Sequence, residues 1–314
     1  ISTASLFCWS ALARYVTNEG FFQAAVLWWL VWFLAWRMDQ VPQWSRPRWL
    51  LLPVGLGLLA LIKLTAVVLV VAVVVWVWFQ PAPWRVKAQW SAVVLAVVGA
   101  LYSPWLYHKH IQYGQAWSIN SFETAPGQMP LRFFVQWDNT VLTTPFWISG
   151  RGSFASMFLA STFVDYDNIF EAYDRPAATD LVTGNGRRLA TGRALASVQL
   201  LRWSLGLAAW TMIGCLLALW QWVRKQLAAR VQLLWLVAAS FLAALLYNVW
   251  RYPYLDRGTL KAIFIAAAFP LVGIVAVASW QQVWPSKPRV VQTLLWLYWL
   301  VWLGLSWRIG LLPV

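Results

Sequence analysis

Residues 49–79 read WLLLPVGLGLLALIKLTAVVLVVAVVVWVWF, an apolar run with a single charge, Lys63. As one helix this run would be about 46 Å long, against a bilayer hydrocarbon core of about 30 Å. It must therefore either tilt steeply or fold back. A hairpin with its tip at Lys63-Leu64-Thr65 has arms of roughly 21 Å, each too short to reach the far side of a membrane. Which reading holds decides the side on which every later segment falls.

The hydrophilic breaks arbitrate. They lie at 37–48, 80–88, 223–231 and 281–289. They carry Arg37, Arg46, Arg48, Arg85, Lys87, Arg224, Lys225, Arg230, Lys287 and Arg289, with Asp39 as their only carboxylate. If 49–79 turns back, all four breaks share one side, the cytoplasmic one by the positive-inside rule. If it crosses once, 80–88 lands opposite and the pattern breaks. The hairpin is the expected form. Its tip and Lys63 then sit at membrane depth, where a charge and non-helical backbone are tolerated only inside protein or beside water. Lys63 is open to two readings, a cavity-facing lysine or a snorkelling one.

The rest of the chain fits this frame. Further apolar runs stand at 21–36, 89–106, 197–222, 232–250, 261–280 and 290–307, continuous rather than alternating, which excludes a strand barrel. Apolar residues make up 61% and charged residues 11% of the chain, whereas a soluble domain carries about 25% charged residues. Trp occurs 27 times, as suits interfacial anchoring. A soluble enzyme, a disordered tail and a disulfide scaffold are thereby excluded. The net charge of +14 includes no basic block of the kind that binds nucleic acid. Cys8 and Cys215 lie in apolar stretches and read as small buried hydrophobes. The expected fold is all-α, a multi-pass transmembrane helical bundle with a half-spanning hairpin and a large extracytoplasmic segment. Its parts are 1–106, transmembrane helices including the hairpin; 107–196, extracytoplasmic; and 197–314, C-terminal transmembrane helices. The apolar stretch 153–163 within the external segment is too short to span and suits an interfacial helix. Ile1 is not an initiator Met and no signal peptide follows, so a missing N-terminal part is expected.

Candidate chemistry gathers on the external side. Arg14-Tyr15-Val16-Thr17-Asn18-Glu19-Gly20 precedes the helix from Phe21. Glu19 is either a first-turn carboxylate that complements the helix dipole or one that orients a hydroxyl or holds a divalent cation, Mg or Mn. Arg251, Arg257 and Lys261 either clamp a phosphate or contact anionic lipid heads. Asn18 and Tyr254 complete the set as candidate substrate contacts. His108-Lys109-His110 and Asp165-Tyr166-Asp167 are weaker metal candidates. The chain has no phosphate-binding Gly-rich loop, zinc spacing or nucleophile elbow, so an enzyme of this kind needs an already activated donor. Balanced charge in 107–196 argues against a strongly anionic acceptor.

Three segments resemble the GT-C membrane glycosyltransferases that use polyprenyl-phosphate sugars, the family of dolichyl-phosphate-mannose–protein mannosyltransferases and aminoarabinose transferases. Arg14-Tyr15-Val16-Thr17-Asn18-Glu19 resembles its outer-face R-x-x-S-N-D/E stretch. Gly55 to Thr65 resembles its G-L-A-x-L-T-K-x-(T/S) hairpin, with Ile62 in place of the Thr before the lysine. Gly258 to Pro270 resembles its K-x-x-Y-L-L-P-A-x-P helix entry, with Phe264 and Ile265 departing from the Tyr-Leu-Leu run. Tyr102 to Leu106, followed by Tyr113-Gly114, is similar to the family's passage from a helix into its large external segment. The resemblance implies sugar transfer at the outer face of a cell membrane, of the bacterial inner-membrane kind, from a lipid-linked donor to an acceptor the sequence does not name. It implies that Lys63 and Lys261 hold the lipid phosphate and that Glu19 is an auxiliary carboxylate. The main catalytic Asp is expected upstream of Ile1. The rival reading is a transporter or lipid flippase that uses the broken hairpin as its binding site. A structural membrane subunit without chemistry is the third.

Overall fold

The computed structural model describes residues 18–35, 50–114, 129–143, 152–163, 192–251 and 267–284, with single positions between 289 and 304. Among the described residues every regular element is helical. In chain order these are α1 (Asn18–Ala35), α2 (Leu51–Ile62), α3 (Val67–Phe79), α4 (Trp84–Tyr113), α5 (Leu131–Val135), α6 (Phe154–Phe163), α7 (Gly192–Val223), α8 (Ala229–Arg251) and α9 (Ala268–Val283). Three stretches, Trp84–Gln112, Ala196–Val223 and Ala229–Trp250, are long and apolar enough to cross a membrane.

The run that decides the fold is broken where the charge stands. α2 ends at Ile62, Lys63 takes an extended conformation (φ −155°, ψ 130°), and a 3₁₀ turn, Leu64–Ala66, leads into α3. Lys63 closes both sides of the break. Its N–H donates to the Leu59 carbonyl at 3.0 Å, and its own carbonyl accepts from Ala66 N at 2.9 Å. The chain then reverses, as a relay of contacts through α1 demonstrates. Gly55 of α2 lies against the Trp29 indole, so closely that a Cβ would come within 2.6 Å of it. Trp29 stacks on Phe33 at 5.4 Å, and Phe33 meets Trp76 of α3 edge-on at 5.9 Å. A straight helix would hold Gly55 and Trp76 about 31 Å apart. Instead both flank the same turns of α1. The arms splay, α2 packing on α4 and α3 on α8, while Trp29 and Phe33 fill the fork.

Depth can be read along α8. Trp76 Nε1 donates to the Ala229 carbonyl at 2.9 Å, which sets the open end of α3 beside the first turn of α8. Phe22 lies under Lys63, 5.9 Å from Nζ to the ring centre, and meets Phe241 edge-on at 6.5 Å. The reversal is therefore level with the middle of α8, and the rest of α8 to Arg251 runs about 15 Å further.

Basic side chains gather where α3 passes to α4 and α7 to α8. Phe79 meets Trp222 at 4.9 Å, joining the two turns. Arg224 lies over Trp220 at 4.3 Å, and Lys87 Nζ donates to the Trp78 carbonyl at 2.9 Å. α9 approaches the same end, with Gln221 Nε2 of α7 donating to the Ser279 carbonyl at 3.0 Å. The break at 37–48 lies outside the described residues.

Two boundaries differ from the sequence expectation. α4 does not stop at 106 but continues through Pro104 to Tyr113, where Gly114 (φ +69°) caps it in the left-handed conformation. Proline deprives the Ala100 carbonyl of its helical partner, and Ser103 Oγ donates to that carbonyl instead, at 3.2 Å. At the other edge of the 107–196 stretch, α7 begins at Gly192 rather than 197.

Between them, 129–143 and 152–163 lie at the end of the helices away from the basic turns. Met129 N–H donates to the Trp250 carbonyl at 3.1 Å. Asp138 caps the short 3₁₀ turn Asn139–Leu142 by accepting from Thr140 N at 3.0 Å. Arg202 of α7 donates to the Leu142 carbonyl at 2.7 Å. α6, the apolar 153–163 stretch, buries Phe154, Leu159, Ala160 and Phe163 against protein.

Candidate functional site

Three chain segments converge at the reversal. The first is the hinge itself, whose Lys63 is half-buried with its ammonium in cation–π reach of the Phe22 face. The second is the start of α1. The third is the start of α9, linked to α1 by one buried bond: Gln23 Oε1 accepts from Ala267 N–H at 2.7 Å. Helix starts carry N–H groups with no partner in their own helix. A glutamine from another helix, itself 0% exposed, satisfies one of these. The bond spans 244 positions of sequence and pins together the starts of α1 and α9.

Above this junction, rings form a ladder. Phe134 lies 5.7 Å from Phe154, Phe154 stacks on Phe158 at 5.6 Å, and Phe158 lies 6.3 Å from Phe269 in the first turn of α9. α6 thus reaches the site's edge through apolar contact.

Of the expected site residues, Lys63 stands at the junction. Asn18 and Glu19 belong to the first turn of α1, immediately ahead of Phe22 and Gln23. Arg251 is the last residue of α8, beside the Trp250 carbonyl that holds Met129, and so lies toward the helix end rather than at the hinge. Tyr254, Arg257 and Lys261 lie outside the described residues.

The sequence reading missed Gln23, Phe22 and the phenylalanine ladder. Gln23 did leave a signal, being the one amide in the apolar run 21–36. The ladder left none, because its rungs come from three separate segments.

The weaker metal candidates gain nothing. His108 and His110 are exposed on the last turns of α4, and Lys109 between them lies over the Trp105 ring at 5.1 Å. Among the described residues no group of three His, Cys, Asp or Glu is placed to hold a metal ion. Asp165 and Asp167 fall outside the described residues. Cys215 is a half-buried free thiol, and Cys8 lies outside them.

Chemically, the junction offers a cation at half the depth of a long apolar helix, facing aromatic surface and adjoining two helix starts. Helix starts favour negative charge, and a cation in a low-dielectric setting attracts it strongly. An anion is the ligand this arrangement suits. No protein-family model matches the chain, and neither a curated protein nor a solved structure matches it.

Proposed function

We propose that this chain is a multi-pass membrane glycosyltransferase that moves a sugar from a polyprenyl-phosphate donor to an acceptor at the extracytoplasmic face. The observation that supports it is the chain reversal at Lys63, level with the middle of α8 and joined to the starts of α1 and α9. In this reading α4, α7 and α8 cross the bilayer, the basic turns are cytoplasmic, and 129–163 belongs to the extracytoplasmic segment. Lys63, with Lys261 and Arg257, holds the lipid phosphate, while Arg251, about 15 Å further along α8, contacts anionic lipid heads. Negative charge grows on that phosphate as the glycosidic bond breaks, so fixed cations favour the transition state over the ground state. Glu19, as an auxiliary carboxylate, lies beside the acceptor hydroxyl and assists the removal of its proton.

The test is sugar transfer by the full-length protein in nanodiscs, supplied with polyprenyl-phosphate sugars, for wild type and for Lys63→Met, Lys261→Ala and Glu19→Ala. Loss of a charge-assisted contact worth about 1.5–3 kcal/mol should lower turnover roughly 10- to 150-fold. Unchanged turnover in all three variants removes these residues from the mechanism. A half-depth hairpin is equally what a transporter uses as a binding site. Donor movement across proteoliposome membranes without transfer would establish that second reading.

A further inference from the structure

The short helix α5 has two unlike faces. Phe133 is buried and Phe134 packs toward Phe154, whereas Leu131 and Val135, one turn apart, are 76% and 75% exposed. Trp137 follows, also exposed, its Nε1 satisfied by Asn139 Oδ1 at 2.7 Å. The height of this face is fixed, because Met129 N–H is bonded to the Trp250 carbonyl in the last turn of α8. Tyr247 and Trp250 are exposed on that turn, and Tyr107 and Ile111 on the corresponding end of α4. Exposed Trp and Tyr at the ends of long apolar helices mark headgroup level. We propose that Leu131, Val135 and Trp137 form an apolar foot that inserts into the outer lipid interface, so that 129–143 rests on the bilayer. The occupant is lipid rather than protein. Two aliphatic side chains and one indole make a patch far too small for a stable protein interface, yet of the kind that seats an interfacial anchor. Leu131 also follows by two residues the Met129 that is bonded to the aromatic last turn of α8. The proposal rests on the membrane-spanning reading and is independent of sugar transfer.

The experiment places single cysteines by Leu131→Cys, Val135→Cys, Asn139→Cys and Met212→Cys in the full chain, with Cys8→Ser and Cys215→Ala. Nitroxide labels in phosphatidylcholine–phosphatidylglycerol nanodiscs report collision with oxygen, which favours lipid, and with a water-soluble nickel chelate. Positions 131 and 135 should favour oxygen, as the exposed Met212 of α7 should, while 139 should favour nickel. Nickel-type behaviour at 131 and 135 with oxygen-type behaviour at 212 overturns the foot alone. Nickel-type behaviour at 212 as well overturns the membrane-spanning reading and the foot with it. Shielding of 131 and 135 from both reagents means that protein covers them, and also overturns the proposal. If the cysteine-free background fails to fold, a photoreactive benzoylphenylalanine in place of Leu131 in the otherwise native chain gives the same answer. Crosslinking to phospholipid supports the foot, and its absence overturns it.

Discussion

Replacing Gly55 by alanine puts the hairpin itself under test. A Cβ there would lie 2.6 Å from Cδ1 and 2.7 Å from Nε1 of Trp29. The first distance is about 0.9 Å inside the ~3.5 Å at which carbon atoms meet comfortably. The indole has no free path of retreat, being 5% exposed and stacked on Phe33, which in turn abuts Trp76. Overpacking of this kind costs about 1–3 kcal/mol. Alanine regains about 1 kcal/mol over glycine inside a helix, leaving a net loss of up to about 2 kcal/mol. Trp29→Ala removes the ring that the new methyl strikes. It also removes a buried indole N–H that has no hydrogen-bond partner among the described residues. In a double-mutant cycle followed by equilibrium unfolding in micelles, the two changes should couple by about 0.5–2 kcal/mol, the double variant being more stable than the sum of the singles. Additivity to within about 0.5 kcal/mol would refute the packing of α2 on α1, and with it the reversal of the chain.

Other consequences are equally direct. Gln23→Leu leaves the buried Ala267 N–H without its acceptor, at about 1–3 kcal/mol. Hydrogen exchange at the start of α9 should therefore accelerate, and Gln23→Glu should slow it again; unchanged exchange would count against the junction of α1 and α9. Gly214→Val drives a Cβ to within 2.7 Å of the Ala276 Cα, a backbone atom that cannot rotate away. The unfolding temperature should fall by an amount matching about 1–3 kcal/mol, and Ala276→Gly should not rescue it fully. Alkaline phosphatase fused after Lys225 should be inactive in cells, and fused after Thr143 active. The opposite pattern would overturn the assignment of sides.

The reversal at Lys63 was readable from sequence because two independent signals agreed: a lone charge in an over-long apolar run, and basic breaks whose parity required a turn. The continuation of α4 past Pro104 was not. It depends on Ser103 taking over one carbonyl, a local rescue that periodicity does not register. Nor was the meeting of α1 with α9, since a bond between Gln23 and Ala267 is purely tertiary. The site was accordingly visible as separate motifs placed on one side, without the amide that ties two of them together. Of its expected residues, only Lys63 has a described side chain.

Whether Lys63 serves the fold or a ligand can be decided by removing its charge. Its backbone conformation, φ −155°, is extended and open to any residue, so methionine imposes no strain. Insertion scales put the cost of a lysine at mid-bilayer at about 2.5–3.5 kcal/mol. Its contact with the Phe22 face, one of its interactions, offsets about 0.5–2 kcal/mol of this. Lys63→Met, which keeps the length of the stem, should therefore leave the unfolding temperature unchanged or raise it while transfer collapses. That pairing, stability kept and activity lost, is the signature of a charge retained for what it binds. A lysine that holds the hinge together would behave in the opposite way. Its loss would lower stability, and Lys63→Arg would restore stability without restoring transfer. Measuring both quantities on the same three proteins separates the two roles, and a fall in stability with Lys63→Met would refute the placement of the lipid phosphate at this lysine.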